Sequence, residues 1–425
     1  MRLRSVLAAP LALSAVVTAA AVGVVAGAAP AYAVDNVCRD VDATTPPGDT
    51  GLPSAPYALL GIEAAQDHVE RFAPKTDLPV RVAVLSSGVL QGDGALPVKR
   101  AVDGSGIGGE ITDPQGTEVA GLVAGSARKD RQGVGIAPDA EIVDVRTFVN
   151  RGSNSARERP TTPALAGSMS WVAANAGSLN IRVAVVPYAV RKSDSLREVV
   201  RAAQDAGVIV VAATGDRPEA GGELSSSFED PPAKDEDAGP LFFPAGYPGV
   251  VAVNATGSGD PAGAIESVVK NSRTTVAAPT YDAVSYGLNG STCLVQETST
   301  GAAAAEVAGV LALLWQRFPK ETPAQIVSRL VNTADGTTDD PTPLTGAGVV
   351  QPYEALTRPL APDKSGDVER TVVHADTDTQ ATAPEPADDL LADTRENAVW
   401  WGLIGGGLLV VALMLRPVLA RRRRT

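Results

Sequence analysis

Histidine is nearly missing from this chain of 425 residues: there are two, His68 and His374, alongside two cysteines, Cys38 and Cys293. So few soft ligands exclude a closed zinc site or a haem framework, and so few cysteines exclude a disulfide-stapled miniprotein. A basic excess is also missing. The formal net charge of −13 speaks against nucleic acid as a partner. What is present is 44% apolar and 20% charged, with 42 Gly and 32 Pro. That composition reads as a globular chain with Pro-rich connecting segments, long enough to bury a sizeable core.

The two ends predict a location. Residues 1–33 place two Arg ahead of a long Ala/Val/Leu run and finish in Ala31-Tyr32-Ala33, the small-x-small pattern of a secretory cleavage site. A mature chain would begin near Val34, in an oxidising compartment. Residues 398–415 (AVWWGLIGGGLLVVALML) are uncharged and followed by Arg416 and by Arg421 to Arg424. This predicts a membrane helix over 397–416 at the short end of the ~17–25 residues needed, with a basic tail over 417–425 kept cytoplasmic by the positive-inside bias. The expected location is therefore the cell membrane, single-pass, with the main domain extracytoplasmic. Between body and helix, residues 358–396 are rich in Asp, Pro, Thr and Ala without apolar periodicity and read as a disordered acidic stalk holding His374. A second acidic patch, 217–240, reads as a surface loop. Residues 34–56 form a Pro/Gly-rich arm carrying Cys38.

Residues 57–357 are the body. Short Val/Ile runs at 81–85, 141–145, 181–186, 208–213 and 250–253 alternate with helical stretches at 62–72, 117–127, 162–176, 195–206, 302–318 and 323–333. Runs apolar on both faces argue for a parallel sheet covered by helices on each side, an α/β three-layer domain. Thr322 with Pro323 is a strong start signal for the last helix.

Three segments carry the chemistry. The strand RVAVLSSGVL ends in Ser86-Ser87-Gly88; DPQGTEVAGLVAG is followed by GVGIAPDAEIVDVR; and TSTGAAAAEVAGVLALLWQRFP opens a long helix. Their order and framework, with VVAATGD at 210–216 and GAGVVQPYEAL at 346–356, closely resemble the subtilisin-like serine proteases. The signal peptide, arm, stalk and membrane helix narrow the resemblance to the mycosin type, associated with type VII (ESX) secretion systems. The resemblance implies the subtilisin-like fold and a Ser-His-Asp mechanism in which His, oriented by Asp, takes the proton from Ser while an Asn amide holds the oxyanion.

On those motifs each role falls on a residue unable to perform it. Ser86 stands where the family has the orienting Asp, Gln115 where it has His, Gly301 where it has the nucleophile and Asp216 where it has the oxyanion Asn. A carboxylate at 216 would repel the charge that the amide stabilises. Pro187, on the substrate-binding edge, cannot donate the backbone hydrogen bond of extended peptide docking. No His follows the first helix within the body, so no rearranged triad is easily built. The expectation is a pseudoprotease that needs no cofactor or metal and acts as a scaffold among type VII membrane components. Two alternatives stand: a non-cleaving peptide-binding module, and a hydrolase with residual activity using Ser299 or Thr300, or Ser86 or Ser87, as an unconventional nucleophile. Cys38 and Cys293 favour an intramolecular bridge in an exported chain, pinning the arm near Gly301; separate contacts to partner chains are the other possibility.

Overall fold

A computed structural model describes residues 36–76, 78–92, 94–128, 133–217, 228, 235–257, 264–369 and 391–421. The expected signal peptide, most of the acidic patch, His374 and the last three arginines lie outside these residues. The chain divides into two units, Met1–Glu369 and Arg370–Thr425.

The first unit is built on a seven-stranded parallel sheet. Its strands are β1 (Arg81–Ser86), β2 (Val98–Asp103), β3 (Glu141–Arg146), β4 (Ile181–Val186), β5 (Ile209–Ala213), β6 (Val251–Thr256) and β7 (Val276–Pro279), in the order β2-β3-β1-β4-β5-β6-β7. Apolar residues alternate between two cores. Val82, Val84, Ile142, Val183 and Val185 face one side, while Ala83, Leu85, Val143, Val145, Ala184 and Val186 face the other. The first side is covered by α2 (Ile62–Phe72), α3 (Gln115–Ala124), α6 (Thr300–Arg317), α7 (Pro323–Asn332) and α8 (Pro352–Thr357); the second is covered by α4 (Thr162–Leu179) and α5 (Asp194–Asp205). This is the three-layer arrangement that doubly apolar strands demand. A short α1 (Ala55–Leu59) and an antiparallel hairpin, β8 (Ala283–Tyr286) and β9 (Thr292–Val295), complete the unit.

Strand order reverses at β1, which pairs with β3 on one side and β4 on the other. The crevice beyond the carboxyl ends of β1 and β4 is where open α/β sheets place their sites. Two long buried helices point their N-termini there. All ten residues of α3 are buried, as is α6 from Thr300 to Trp315.

The arm is bound to the hairpin rather than loose. Val37 forms a parallel bridge with Leu294, the Thr292 amide donates to Asp49 Oδ1 at 2.9 Å, and Cys38 is disulfide-bonded to Cys293. The intramolecular pairing is thus the one present. Residues 358–369, expected as the start of the stalk, lie along α7. Gln325 Nε2 donates to the Pro362 carbonyl at 2.8 Å and Arg329 Nη2 to the Leu360 carbonyl at 3.0 Å. The helix itself starts as its sequence announces, with a capping box between Thr322 and Gln325.

The second unit contains one described helix, α9 (Ala392–Arg421). Its segment Asp393–Arg416, 24 residues, is long and apolar enough to cross a membrane.

Candidate active-site cleft

Ser86 is the last residue of β1, Gln115 the first of α3, and Pro187 follows β4 directly. Their side chains and backbone meet in the crevice. Ser86 Oγ donates to Gln115 Oε1 at 3.0 Å, and Gln115 Nε2 donates to the Pro187 carbonyl at 3.1 Å. Both groups are buried and uncharged, so the relay is a neutral amide held between a hydroxyl and a carbonyl. It has no site that can take up a proton near neutral pH. Ser87, beside it, donates to the Asp113 carbonyl at 2.8 Å and accepts from the Gly116 amide at 3.0 Å. That hydroxyl fixes the loop leading into α3.

Gly301, in the first turn of α6, presses on the same proline. A Cβ at residue 301 would lie 2.5 Å from the Pro187 carbonyl oxygen and 3.3 Å from its Cβ. The position expected for a nucleophile therefore has no room for a side chain. The carbonyl that excludes it is the one Gln115 grips.

Asp216 closes the head of α6. Its carboxylate accepts from the Thr300 amide at 2.6 Å and from Ser299 Oγ at 3.0 Å. An anion at a helix N-terminus satisfies donors that the helix leaves open. Burial raises the Asp216 pKa, opposed by these hydrogen bonds to Thr300 and Ser299. Ser299 is the cap residue of α6, and Thr300 Oγ1 accepts from the Gly215 amide at 3.2 Å. Both hydroxyls offered as unconventional nucleophiles are thereby committed to holding the helix start.

These residues border a cleft of about 650 Å³ whose walls include Gln115, Pro187, Asp216, Arg39, Arg151 and Glu297. Arg39 belongs to the arm, so the arm does reach the cleft: its Nη1 lies 3.4 Å from Glu297 Oε2. Arg151 pairs with Asp113 at 3.1 Å, and Arg217, its side chain 0% exposed, pairs with Glu236 (4%). Glu118 lies one turn beyond Gln115 on the same face of α3 and is 8% exposed. Burial, followed by the carboxylate of Glu297, pushes its pKa up to about 8; Arg151 opposes the rise, and Asp113 and Asp216 add to it.

The expected residues Ser86, Gln115, Gly301, Asp216, Ser299 and Thr300 thus gather around Pro187 and the head of α6. His68 does not join them; it packs on Phe72 and Tyr353. Sequence reading missed Glu118, Asp113, Arg151, Glu297 and Arg39. Glu118 alone carried a signal, because a carboxylate three residues after Gln115 on a wholly apolar helix calls for explanation.

The subtilase family pattern matches residues 114–353. This chain belongs to the subtilase family. It is of the mycosin type: Mycosin-1 of Mycobacterium tuberculosis is 32% identical over 356 residues, covering 75% of this chain and 76% of that protein. The crystal structure of MycP1 with the N-terminal propeptide removed superposes with a TM-score of 0.58 at 27% identity, covering 73% of this chain and all of that one. The MycP3 protease from the type VII (ESX-3) secretion system gives 0.57 at 27%, covering 76% of this chain and 91% of that structure. The subtilisin-like fold read from the motifs is therefore the fold of this mycosin-type chain.

Proposed function

We propose that this mycosin-type chain is a membrane-anchored extracytoplasmic pseudoprotease, a non-catalytic scaffold or stabilising subunit of a type VII secretion system. The observation that carries the loss of catalysis is the contact at Gly301. On the family motifs Gly301 stands at the nucleophile, and the Pro187 carbonyl occupies the space that a side chain there requires. The neutral Ser86–Gln115 pair and the Asp216 carboxylate at the head of α6 act in the same direction. The Ser86–Gln115 pair offers no base to take a proton, and the Asp216 carboxylate already occupies donors at the helix start.

Partner and location are supported by resemblance and by α9. MycP1 is described as an essential component of the type VII (ESX-1) secretion system. An apolar helix followed by a run of arginines fits a single span with the main domain outside. The test is gentle solubilisation of native membranes, affinity purification of the full chain and mass spectrometry of what co-purifies. Recovery of type VII membrane components in fixed proportion is expected. A chain that purifies alone, from cells whose secretion complex assembles normally without it, contradicts the scaffold reading.

A second reading, residual hydrolysis through Ser299 or Thr300, is favoured only by the 3.0 Å contact between Ser299 Oγ and a buried carboxylate. Peptide cleavage that persists through purification and disappears in the Ser299→Ala, Thr300→Ala double variant would establish it. The expected outcome is no cleavage in either protein.

A further inference from the structure

Two buried donors stand unused at the end of α6 remote from the cleft. Trp315 is 2% exposed and its indole Nε1 has no hydrogen-bond partner among the described residues; Nε2 of the neighbouring Gln316 is buried and unpartnered as well. Both residues line a pocket of about 540 Å³. Val80 and Asn180, on its wall, directly precede β1 and β4, so the pocket lies at the amino ends of strands whose carboxyl ends form the cleft. About 20 Å of helix, from Gly301 to Trp315, separates the two sites. Native interiors pair nearly all their buried polar groups, and an unpaired one costs free energy until a partner arrives. The third polar group on this wall is a cation. Arg182 lies over the Trp315 ring at 5.0 Å, half-buried, with no ion pair or hydrogen bond to a described residue. Indole N–H, amide N–H and guanidinium are all donors, so the group that satisfies them brings oxygen acceptors, and the charge of Arg182 favours a carboxylate.

We infer that this pocket takes the C-terminal residue of a partner polypeptide, with its aliphatic side chain against Val69, Leu78 and Val80 and its terminal carboxylate on Arg182 and the Trp315 and Gln316 donors. The inference goes beyond the reading of the cleft and holds whether or not the cleft cuts. Three features favour this occupant. The apolar wall is interleaved with Thr76 and Asn180, which suits an apolar body carrying amides better than a bare hydrocarbon chain. Two large apolar side chains adjoin the pocket in the open: Leu78 in its wall, 63% exposed, and Phe72 beside Ala73 of its wall, 57% exposed. They extend the contact beyond what a small free acid would cover. The other charges on the wall, Lys75 against Glu70 and Asp139, are exposed and screened by water, whereas Arg182 is held against the indole in a half-buried position.

The experiment titrates the full chain in detergent, by calorimetry, with three probes: acetylated trialanyl-leucine with a free carboxylate, the same peptide as its C-terminal amide, and hexanoate. The free acid is expected to bind about tenfold or more tightly than the amide, the margin of a charge-assisted hydrogen bond over a neutral one. Arg182→Gln should bring the two peptides to equal affinity, and Trp315→Phe, which keeps a ring but removes the N–H, should weaken the acid several-fold. Equal affinity of the parent for acid and amide, including no binding of either, overturns the inference. So does a preference for the acid that survives Arg182→Gln, because the carboxylate would then be bound elsewhere. If Arg182→Gln fails to fold, Trp315→Phe decides: unchanged affinity for the acid overturns the proposal. Hexanoate binding as tightly as the peptide acid would assign the pocket to a free aliphatic acid and overturn the polypeptide occupant.

Discussion

A serine Cβ on residue 301 would stand 2.5 Å from the Pro187 carbonyl oxygen, and that carbonyl is fixed by the Gln115 amide. Restoring the family's residues one by one therefore meets packing before it meets chemistry. Gly301→Ser is expected to lower stability by about 1–3 kcal/mol, as overfilled sites do. The triple variant Ser86→Asp, Gln115→His, Gly301→Ser should remain unlabelled by a fluorophosphonate probe, since the oxyanion side still holds the Asp216 carboxylate. Labelling of the triple variant at the rate of an active subtilase would show that the Pro187 segment yields. The identities of Ser86, Gln115 and Gly301 were legible in sequence because motifs fix position. Their consequence was only half legible: that Gly301 is needed for space depends on a residue 114 positions earlier in the chain, and no local pattern reports such a contact.

The elements that sequence located were those with internal signals. β1, β3, β4, β5 and β6 are apolar on both faces, and α7 carries its cap and proline. Those missed lack such signals: β2 (VKRAVD) is an edge strand with exposed Lys99 and Arg100, and β7, β8 and β9 are four residues each. α3 ends at Ala124, three residues earlier than its apolar run suggests, because Gly125 turns out of the helix and receives the Gly135 amide at 3.0 Å. The arm could be read as a segment but not as a strand beside β9, since its hydrogen bonds are made with residues about 250 positions away. Its tether gives a prediction at this scale. Closing a loop of 255 residues contributes about 5–6 kcal/mol in the chain-entropy picture. Cys38→Ala should lower the melting temperature and abolish the difference between melts with and without reductant. An unchanged melt would mean that the hydrogen bonds to β9 alone hold the arm.

At three positions of the domain, burial outweighs whatever cation lies near a carboxyl. Glu118 is pushed up to about 8, Asp144 is raised by burial to about 7, and Glu306, in the middle of α6 with Oε2 unpartnered, is raised well above its ordinary value by burial alone. The sign follows from linkage. In the unfolded chain these groups ionise near their ordinary values of 4.5 for Glu and 3.8 for Asp, while in the folded domain they hold their protons to higher pH. Stability is therefore full below about pH 4 with respect to these groups and is lost as pH rises through the folded values, each group steepening the fall by up to about 1.4 kcal/mol per pH unit. Between pH 5 and pH 8 the melting temperature should fall, the reverse of a domain held together by paired carboxylates. Glu306→Gln and Glu118→Gln should each flatten the profile across this interval. Thermal melts of the purified parent and variant chains across that range read the effect directly. A parent profile that is flat or rises toward pH 8 would mean that these carboxyls are already compensated in the folded domain.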